Sequence, residues 1–191
     1  MNDKKNTKEK FIETASKLFE VKGYNATGLN EILAESGAPK GSLYYHFPKG
    51  KEQLALEAII SAGKKITLNL KENLKNAENP IQGVMNNLEH LAKVIDNEQK
   101  TRDMSISLIA LETYLTSENL RKACEEIFDV LERTYAEKLI EIGIDKEKAY
   151  ELSAVIGAMT EGGITLALTR KSGNPLRLIA KQIPKIINYS E

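Results

Sequence analysis

Apolar residues recur along this chain at intervals of three and four, the periodicity of amphipathic α-helices, and no segment alternates as a β-strand would. The first helical segment runs from about residue 7 to residue 22, and Gly23 is placed to end it. The same pattern continues to the end of the chain and accounts for about nine helices. The sequence therefore predicts an all-α protein.

Three of these helices fall within the first 50 residues. Thr27 is placed to cap the second helix, and Gly37 ends that helix. Pro39 begins a third helix, which ends before Pro48. Two short helices joined by a turn form a helix-turn-helix, which we assign to about residues 28–47. We expect a three-helix DNA-binding domain at residues 1–50 and a larger helical ligand-binding and dimerisation domain at residues 51–191.

The helices of the larger domain have clear start signals. Asn79 and Asn174 each precede a proline, the arrangement of a capping side chain before a first helical turn. Thr101, Ser117 and Asp145 are suitable caps for three more helices. These signals predict where the remaining helices begin.

Composition narrows the possible functions. The chain carries 27 basic and 27 acidic side chains, so only a local excess of positive charge can favour nucleic acid. The segment up to Lys51 is mildly basic.

The single cysteine, Cys124, lies on an apolar stripe, where we expect a small buried hydrophobe rather than a redox sensor. We expect no metal site and no cofactor. No apolar run approaches the roughly 20 residues that span a bilayer, so we expect a cytoplasmic protein with no membrane partner.

The third short helix has residue types that suit contact with DNA better than a protein core. Residues 39–47 are PKGSLYYHF, in which only Leu43 and Phe47 need face inward. Hydroxyl and ammonium groups bind phosphate oxygens, and a lysine near a helix start can reach a base edge. The side chains left to face outward are Lys40, Ser42, Tyr44, Tyr45 and His46. The alternative is a surface helix whose tyrosines pack against neighbours and whose histidine is structural.

Several short segments resemble a known family. Gly23-Tyr24, Ala26-Thr27 and the run PKGSLYYHFPKGKEQL from Pro39 are similar, in order and spacing, to the N-terminal domain of the TetR family of repressors. The resemblance covers about residues 7–55 and implies a three-helix DNA-binding domain followed by a helical ligand-binding and dimerisation domain. By this resemblance the residues that contact DNA are Thr27, Lys40, Ser42, Tyr44, Tyr45, His46 and Lys51.

Other features resemble one subgroup of that family. The spacing of Phe47-Pro48-Lys49-Gly50-Lys51, together with Ala38-Pro39, is similar to the LmrA/YxaF subgroup. SISLIALE from Ser105 and EGGITLAL from Glu161 also resemble it.

Candidate ligand-pocket residues lie between the predicted helices of the larger domain, where small-molecule sites of helical proteins tend to form. They are Met104, Leu108, Glu112, Phe128, Met159 and Glu161. Plain core packing is the alternative for the apolar members. Glu161 has three possible positions: in a cavity wall, in a pair across a dimer interface, or exposed to solvent.

The segment from residue 152 to residue 169 is largely apolar, and Glu161 is its only charged residue. A helix that is apolar on all sides must be buried on all sides. One face is therefore expected to pack on the core of its own domain and another on a second subunit. The candidate interface residues are Ala154, Ala158, Leu166, Ile179 and Ile183.

Together these features predict a transcriptional regulator. We expect a homodimeric repressor that binds a palindromic double-stranded DNA operator and leaves it when a small-molecule inducer binds. An enzyme is the first alternative, but the chain has no Gly-rich phosphate loop, no metal-binding histidine pair and no Ser-His-Asp arrangement, so we expect no catalytic residues. A DNA-binding adaptor without a ligand is the second, and it would have a filled core and an exposed apolar patch. The sequence leaves open the operator, the inducer and the regulated genes.

Overall fold

The structure, a computed structural model, describes residues 2–101 and 104–188. Within these ranges the chain forms nine α-helices and no β-strand, which confirms the all-α prediction. In chain order the helices are α1 (Asn2–Ala26), α2 (Leu29–Ser36), α3 (Lys40–His46), α4 (Lys51–Lys75), α5 (Pro80–Glu98), α6 (Ile106–Thr113), α7 (Glu118–Glu141), α8 (Lys146–Arg170) and α9 (Asn174–Asn188).

Polar side chains begin three helices where the sequence predicts them. Asn79 before α5 and Ser117 before α7 each accept a hydrogen bond from the backbone N–H three residues later. Asp145 accepts hydrogen bonds from the backbone N–H groups two and three residues later, at the start of α8. Thr101 caps no described helix, because α6 begins later and is capped by the hydroxyl of Ser105. Each of these bonds satisfies a backbone donor that the helix itself leaves without a partner.

The chain divides into two compact units, and the division does not fall between residues 50 and 51. The first unit contains the described residues of Met1–Lys65 and Asp103–Ile127, and the second those of Ile66–Arg102 and Phe128–Glu191. The helix-turn-helix therefore shares its unit with α6 and the first part of α7, which are distant in sequence. Both α4 and α7 contribute residues to each unit.

In the first unit, α1 packs against α2, α3 and α6. Phe11, Ala15 and Phe19 on its apolar face are fully buried, as are Leu43 and Phe47. The rings of Phe11 and Phe47 meet edge to face with their centroids 6.1 Å apart, a favourable geometry for aromatic pairs. These contacts hold the apolar side of α3 inward, so its other side faces away from the core.

In the second unit, α5, α8 and α9 pack against one another around an apolar core. One polar network lies inside this unit. The side-chain amide of Asn87 donates a hydrogen bond to the hydroxyl of Tyr135 at 3.0 Å and accepts one from Asn73 at 2.9 Å. Burial raises the pKa of Tyr135 to about 12, although hydrogen bonds with Asn87 and Thr160 act in the opposite direction. The network is neutral and its members have partners, as buried polar groups require.

Two carboxylates of α5 hold the start of α9: Glu89 accepts one hydrogen bond from the guanidinium of Arg177 at 3.1 Å, and Asp96 accepts two hydrogen bonds. Asp96 accepts hydrogen bonds from the backbone N–H of Gly173 and from the guanidinium of Arg177, each at 2.6 Å. These bonds lower the pKa of Asp96 below its usual value, with the Gly173 bond as the largest cause. The carboxylate therefore stabilises the fold above the ordinary pKa of aspartate, and this contribution is lost as the pH falls through the lowered value.

α8 has one buried face and one exposed face. Ile156 and Ala167 lie in the core of the second unit, whereas Ala154, Ala158 and Leu166 are exposed. Two of the predicted interface residues lie on α9. Ile179 is partly buried against the core, and Ile183 is fully buried within it. The assignment of Ile183 to a subunit interface is therefore wrong, because its side chain is already covered by its own unit.

By length and composition alone, α8 is also the one described helix that is long and apolar enough to cross a membrane, which we did not expect from the sequence. Helices that pack in the cores of water-soluble proteins have the same length and composition. Since Ile156 and Ala167 of α8 are core residues, composition does not assign this helix to a membrane.

Candidate DNA-binding site

α3 carries an inward apolar face and an outward polar one. Leu43 is 0% exposed, whereas Tyr44 and Tyr45 are 50% and 68% exposed, and Lys40 is also exposed. Adjacent exposed tyrosines on a helix of seven residues are more typical of a binding surface than of a core. Their hydroxyls and the lysine ammonium are the donors that phosphate oxygens and base edges accept. The outward face of α3 therefore has the chemistry of a nucleic-acid interface.

Two further predicted contacts lie beside this face. Ser42 and His46 are partly exposed. The ring of His46 stands edge-on to Tyr45, with 5.1 Å between the ring centroids, and its centroid is 6.3 Å from that of Phe47. His46 thus lies between an outward tyrosine and a core phenylalanine. Contact of Ser42 and His46 with DNA stays a prediction.

The turn between α2 and α3 sets the direction of the outward face. Gly37 ends α2 with φ 62° and ψ 14°, the left-handed conformation that glycine adopts most readily. The hydroxyl of Ser36 then accepts a hydrogen bond from the N–H of Ala38 at 3.3 Å. Pro39 is extended, so α3 begins at Lys40, one residue later than the sequence predicts. This is the local geometry of a helix-turn-helix.

Thr27 does not belong to the outward surface. Its side chain is 1% exposed, and its hydroxyl donates a hydrogen bond to the carbonyl oxygen of Gly23 at 2.7 Å. The N-cap position of α2 is held by Gly28, without a side-chain bond. Both predictions for Thr27, as a cap and as a DNA contact, are therefore wrong. A threonine before a helix has the same sequence signature whether its hydroxyl turns forward to the new helix or back to the preceding turn.

Lys51 is partly buried at the start of α4. Its Nζ lies 4.1 Å from the centroid of the Tyr24 ring, within cation–π distance. Burial lowers the pKa of Lys51, and the negative charge of Glu112 acts in the opposite direction. The ammonium is thus held against an aromatic ring of its own unit. Contact of Lys51 with a phosphate stays a prediction.

Glu112 has a role that sequence reasoning missed. We expected it in a ligand pocket, but its Oε2 accepts hydrogen bonds from the backbone N–H groups of Tyr24 at 2.5 Å and Asn25 at 3.2 Å. No local pattern around Glu112 indicates a partner so far away in sequence. The one signal near its partners Tyr24 and Asn25 is the preceding residue, Gly23, which the sequence predicts to end a helix.

The other predicted pocket residues belong to both units. Met104 is buried and Leu108 is exposed in the first unit, while Phe128, Met159 and Glu161 are each partly buried in the second. Their grouping around a ligand stays a prediction.

Within residues 2–101 and 104–188, no three His, Cys, Asp or Glu side chains are grouped as a metal ion would require. Cys124 is buried, and burial raises its pKa to about 11. A buried thiol with a raised pKa is little ionised at neutral pH and reacts slowly. The prediction of a small buried hydrophobe is confirmed.

Two family models match the chain. Residues 11–58, which contain α2 and α3, match the model described as bacterial regulatory proteins of the tetR family. Residues 80–182 match the model for the C-terminal domain of LmrA/YxaF-like transcriptional regulators. The second match alone covers more than half of the chain.

Individual proteins agree with these matches. The chain is 42% identical to the HTH-type transcriptional regulator YxaF of Bacillus subtilis over 98% of both chains. It is 41% identical to the HTH-type transcriptional regulator LmrA of the same organism, over 95% of this chain and 96% of that one. Among solved structures it is similar to a TetR transcriptional regulator of Chloroflexus aurantiacus, with a TM-score of 0.83 and 26% identity over 98% of this chain and 97% of that one. NemR of E. coli, in its reduced form, shares the fold with a TM-score of 0.82 and 20% identity over 93% and 95% of the two chains.

Proposed function

The chain belongs to the LmrA/YxaF-like group of TetR-family transcriptional regulators, and on that premise we propose that it is a cytoplasmic homodimeric repressor of a palindromic operator. A small-molecule inducer that binds the larger domain would release the repressor from DNA. The observation that carries the DNA-binding part of this proposal is the outward face of α3, with Lys40, Tyr44 and Tyr45 exposed around a buried Leu43.

The proposed contacts divide into two kinds. Tyr44 and Tyr45 supply hydroxyls for phosphate oxygens, which place the protein on the duplex without reading its sequence. Lys40, in the first turn of α3, is the candidate for contact with a base edge in the major groove. Ser42 and His46 flank this surface as further phosphate contacts. Thr27 is left out of the set because its hydroxyl is buried and bonded internally.

The exposed face of α8 supports a dimer. Ala154, Ala158 and Leu166 recur at helical spacing on this face, and Leu166 is 46% exposed. A second copy of the chain would cover such a face through a two-fold, self-complementary contact. Two recognition helices related in this way read two half-sites when they lie about 34–36 Å apart, or a multiple of that distance.

Release by an inducer requires two states of the dimer. A ligand that binds the DNA-incompatible state more tightly shifts the population toward it, and the shift is limited by the difference between its two affinities. We place the inducer in the second unit, beside Phe128, Met159 and Glu161. We propose no catalytic role, since the relatives are described as regulators and the mechanism needs only binding.

Substitutions on α3 test the DNA-binding surface. We expect Tyr44→Phe and Lys40→Ala each to weaken operator binding by about tenfold, because each removes one hydrogen-bond donor to DNA. Binding is measured by fluorescence anisotropy on a duplex selected from random sequence by the wild-type protein. The salt dependence of Lys40→Ala distinguishes two kinds of contact. If Lys40 neutralises a phosphate, the slope of log affinity against log salt concentration should fall in magnitude by about one. If Lys40 contacts only a base, the slope should stay unchanged.

Matched controls lie elsewhere on the first unit. Tyr114→Phe removes the hydroxyl of another exposed tyrosine, and Lys64→Ala removes another exposed lysine charge. Both controls should retain wild-type affinity. Equal affinity of all four variants and the wild type would remove α3 as the DNA-contacting surface.

A further inference from the structure

Glu112 lies in the last turn of α6 and contacts the segment that leads from α1 into α2. Its carboxylate accepts the two backbone hydrogen bonds from Tyr24 and Asn25, and its backbone carbonyl accepts a third from the side-chain amide of Asn25 at 3.3 Å. Hydrogen bonds to a carboxylate are about twice as strong as those between neutral groups. One residue of α6 therefore holds two consecutive residues of the N-terminal helices.

The chain at Gly23 is shaped around this carboxylate. Gly23 has φ 78° and ψ 171°, a conformation that is essentially confined to glycine. A Cβ at this position would lie 2.8 Å from Cδ of Glu112 and closer to one of its oxygens. The Glu112 carboxylate thus occupies the space that any larger residue at position 23 would need. The bend at Gly23 directs the N–H groups of Tyr24 and Asn25 toward it.

The same segment is held from two other directions. The ring of Tyr24 lies 5.7 Å from that of Phe19 on α1, and it also carries the ammonium of Lys51. Thr27 closes the turn by its bond to the carbonyl of Gly23. The first helix of the helix-turn-helix, α2, begins two residues after Thr27, so the placement of this segment determines where α2 and α3 start.

From these contacts we infer that Glu112 is a positioning residue for operator binding. Through Glu112, α6 helps to hold the helix-turn-helix in the position that binds DNA. This inference rests on the proposed function of the outward face of α3. Glu112 acts through the backbone of Tyr24 and Asn25 and does not touch DNA. Without its carboxylate, two backbone donors lose their acceptor, and the start of α2 keeps the contacts of Tyr24 and Thr27 and the ion pair between Lys22 and Glu31.

Three measurements on the full-length protein test this role. Glu112→Ala should weaken operator binding by about tenfold, and Glu112→Gln should weaken it less because the amide keeps one acceptor oxygen. The slope of log affinity against log salt concentration should stay at the wild-type value, because no phosphate contact is removed. The backbone amides of Tyr24 and Asn25 should exchange hydrogen faster in both variants, while Leu43 stays protected.

The matched control is Glu126→Ala, which removes another carboxylate from the first unit at an exposed position of α7. It should leave operator affinity unchanged. If Glu112→Ala loses helical content, Glu112→Gln alone decides the question. Wild-type operator affinity in a folded Glu112→Gln variant, with unchanged exchange at Tyr24 and Asn25, would overturn the inference. Failure of the wild-type protein to bind any duplex would instead overturn the proposed function.

Discussion

Replacing Gly173 with alanine is expected to lower the free energy of unfolding by about 1–3 kcal/mol, the usual cost of forcing a methyl group into a well-packed site. A Cβ at Gly173 would lie 2.8 Å from both the Cα and the carbonyl carbon of Ala92, and closer still to the carbonyl oxygen. The added methyl group would clash with the backbone of α5, and backbone atoms cannot relieve a clash by changing rotamer as a side chain can. A shift of Gly173 away from α5 would relieve the clash but break the hydrogen bond from its N–H to Asp96. Either change destabilises the junction of α5 and α9.

Urea unfolding followed by helical circular dichroism, at a fixed protein concentration, measures this effect. The control is Gly157→Ala in α8, where the new Cβ would lie at an ordinary 3.6 Å from Cγ of Glu132. Alanine is the better helix former, so this control should equal or exceed wild-type stability by up to about 1 kcal/mol. A Gly173→Ala variant as stable as the control would mean that the close packing of α9 on α5 does not describe the protein.

Leu166→Glu is expected to convert the dimer into monomers and to weaken operator binding by about two orders of magnitude or more. Leu166 lies on the exposed apolar face of α8 that we propose as the subunit contact. Across a two-fold axis the substitution introduces two carboxylates at once, and leaving a buried charge without a partner costs several kcal/mol. A monomer contacts one half-site only, so the affinity gained by joining two recognition helices is lost.

Sedimentation equilibrium gives the mass of each variant in solution, and anisotropy gives its operator affinity. Leu115→Glu is the control, since Leu115 is 80% exposed in the first unit and lies outside the proposed interface. It should remain dimeric and bind DNA normally. A dimeric Leu166→Glu variant with wild-type affinity would move the interface away from this face of α8.

The elements predicted correctly are those that depend on neighbouring residues. The caps at Asn79, Ser117 and Asp145 each involve a side chain and a backbone N–H within three residues. The inward position of Leu43 follows from the periodicity of a single helix. Such short-range relations can be recognised in the sequence itself, but Thr101, a cap candidate by the same rule, caps no described helix.

The errors and omissions concern which residue a given side chain contacts, because the sequence does not specify contacts between residues that are distant in the chain or that have several possible partners. The hydroxyl of Thr27 has a backward acceptor at Gly23 as well as the forward donors of α2, and packing decides between them. Glu112 reaches Tyr24 across 88 positions of sequence, and nothing near either residue indicates the other. The contact of Lys51 with the ring of Tyr24 has no signal in the sequence either, and contact of Lys51 with a phosphate stays a prediction.

Apolar stripes carry the same ambiguity. Leu166 and Ile183 are both apolar residues that recur at helical spacing, so hydropathy assigns either of them equally well to a subunit interface. The structure exposes Leu166 and buries Ile183 in the core of its own unit. Periodicity identifies a face that must be covered, and only the packed structure tells whether the same chain covers it.

The central claim, that this protein binds DNA sequence-specifically, is tested most directly by titrating the wild-type protein onto the duplex upstream of its own gene. The titration uses fluorescence anisotropy, excess non-specific competitor and two salt concentrations. We expect binding that survives the competitor and weakens steeply at the higher salt concentration, as several phosphate contacts require. Binding no tighter than to competitor, on that duplex and on any recovered from random sequence, would contradict the claim.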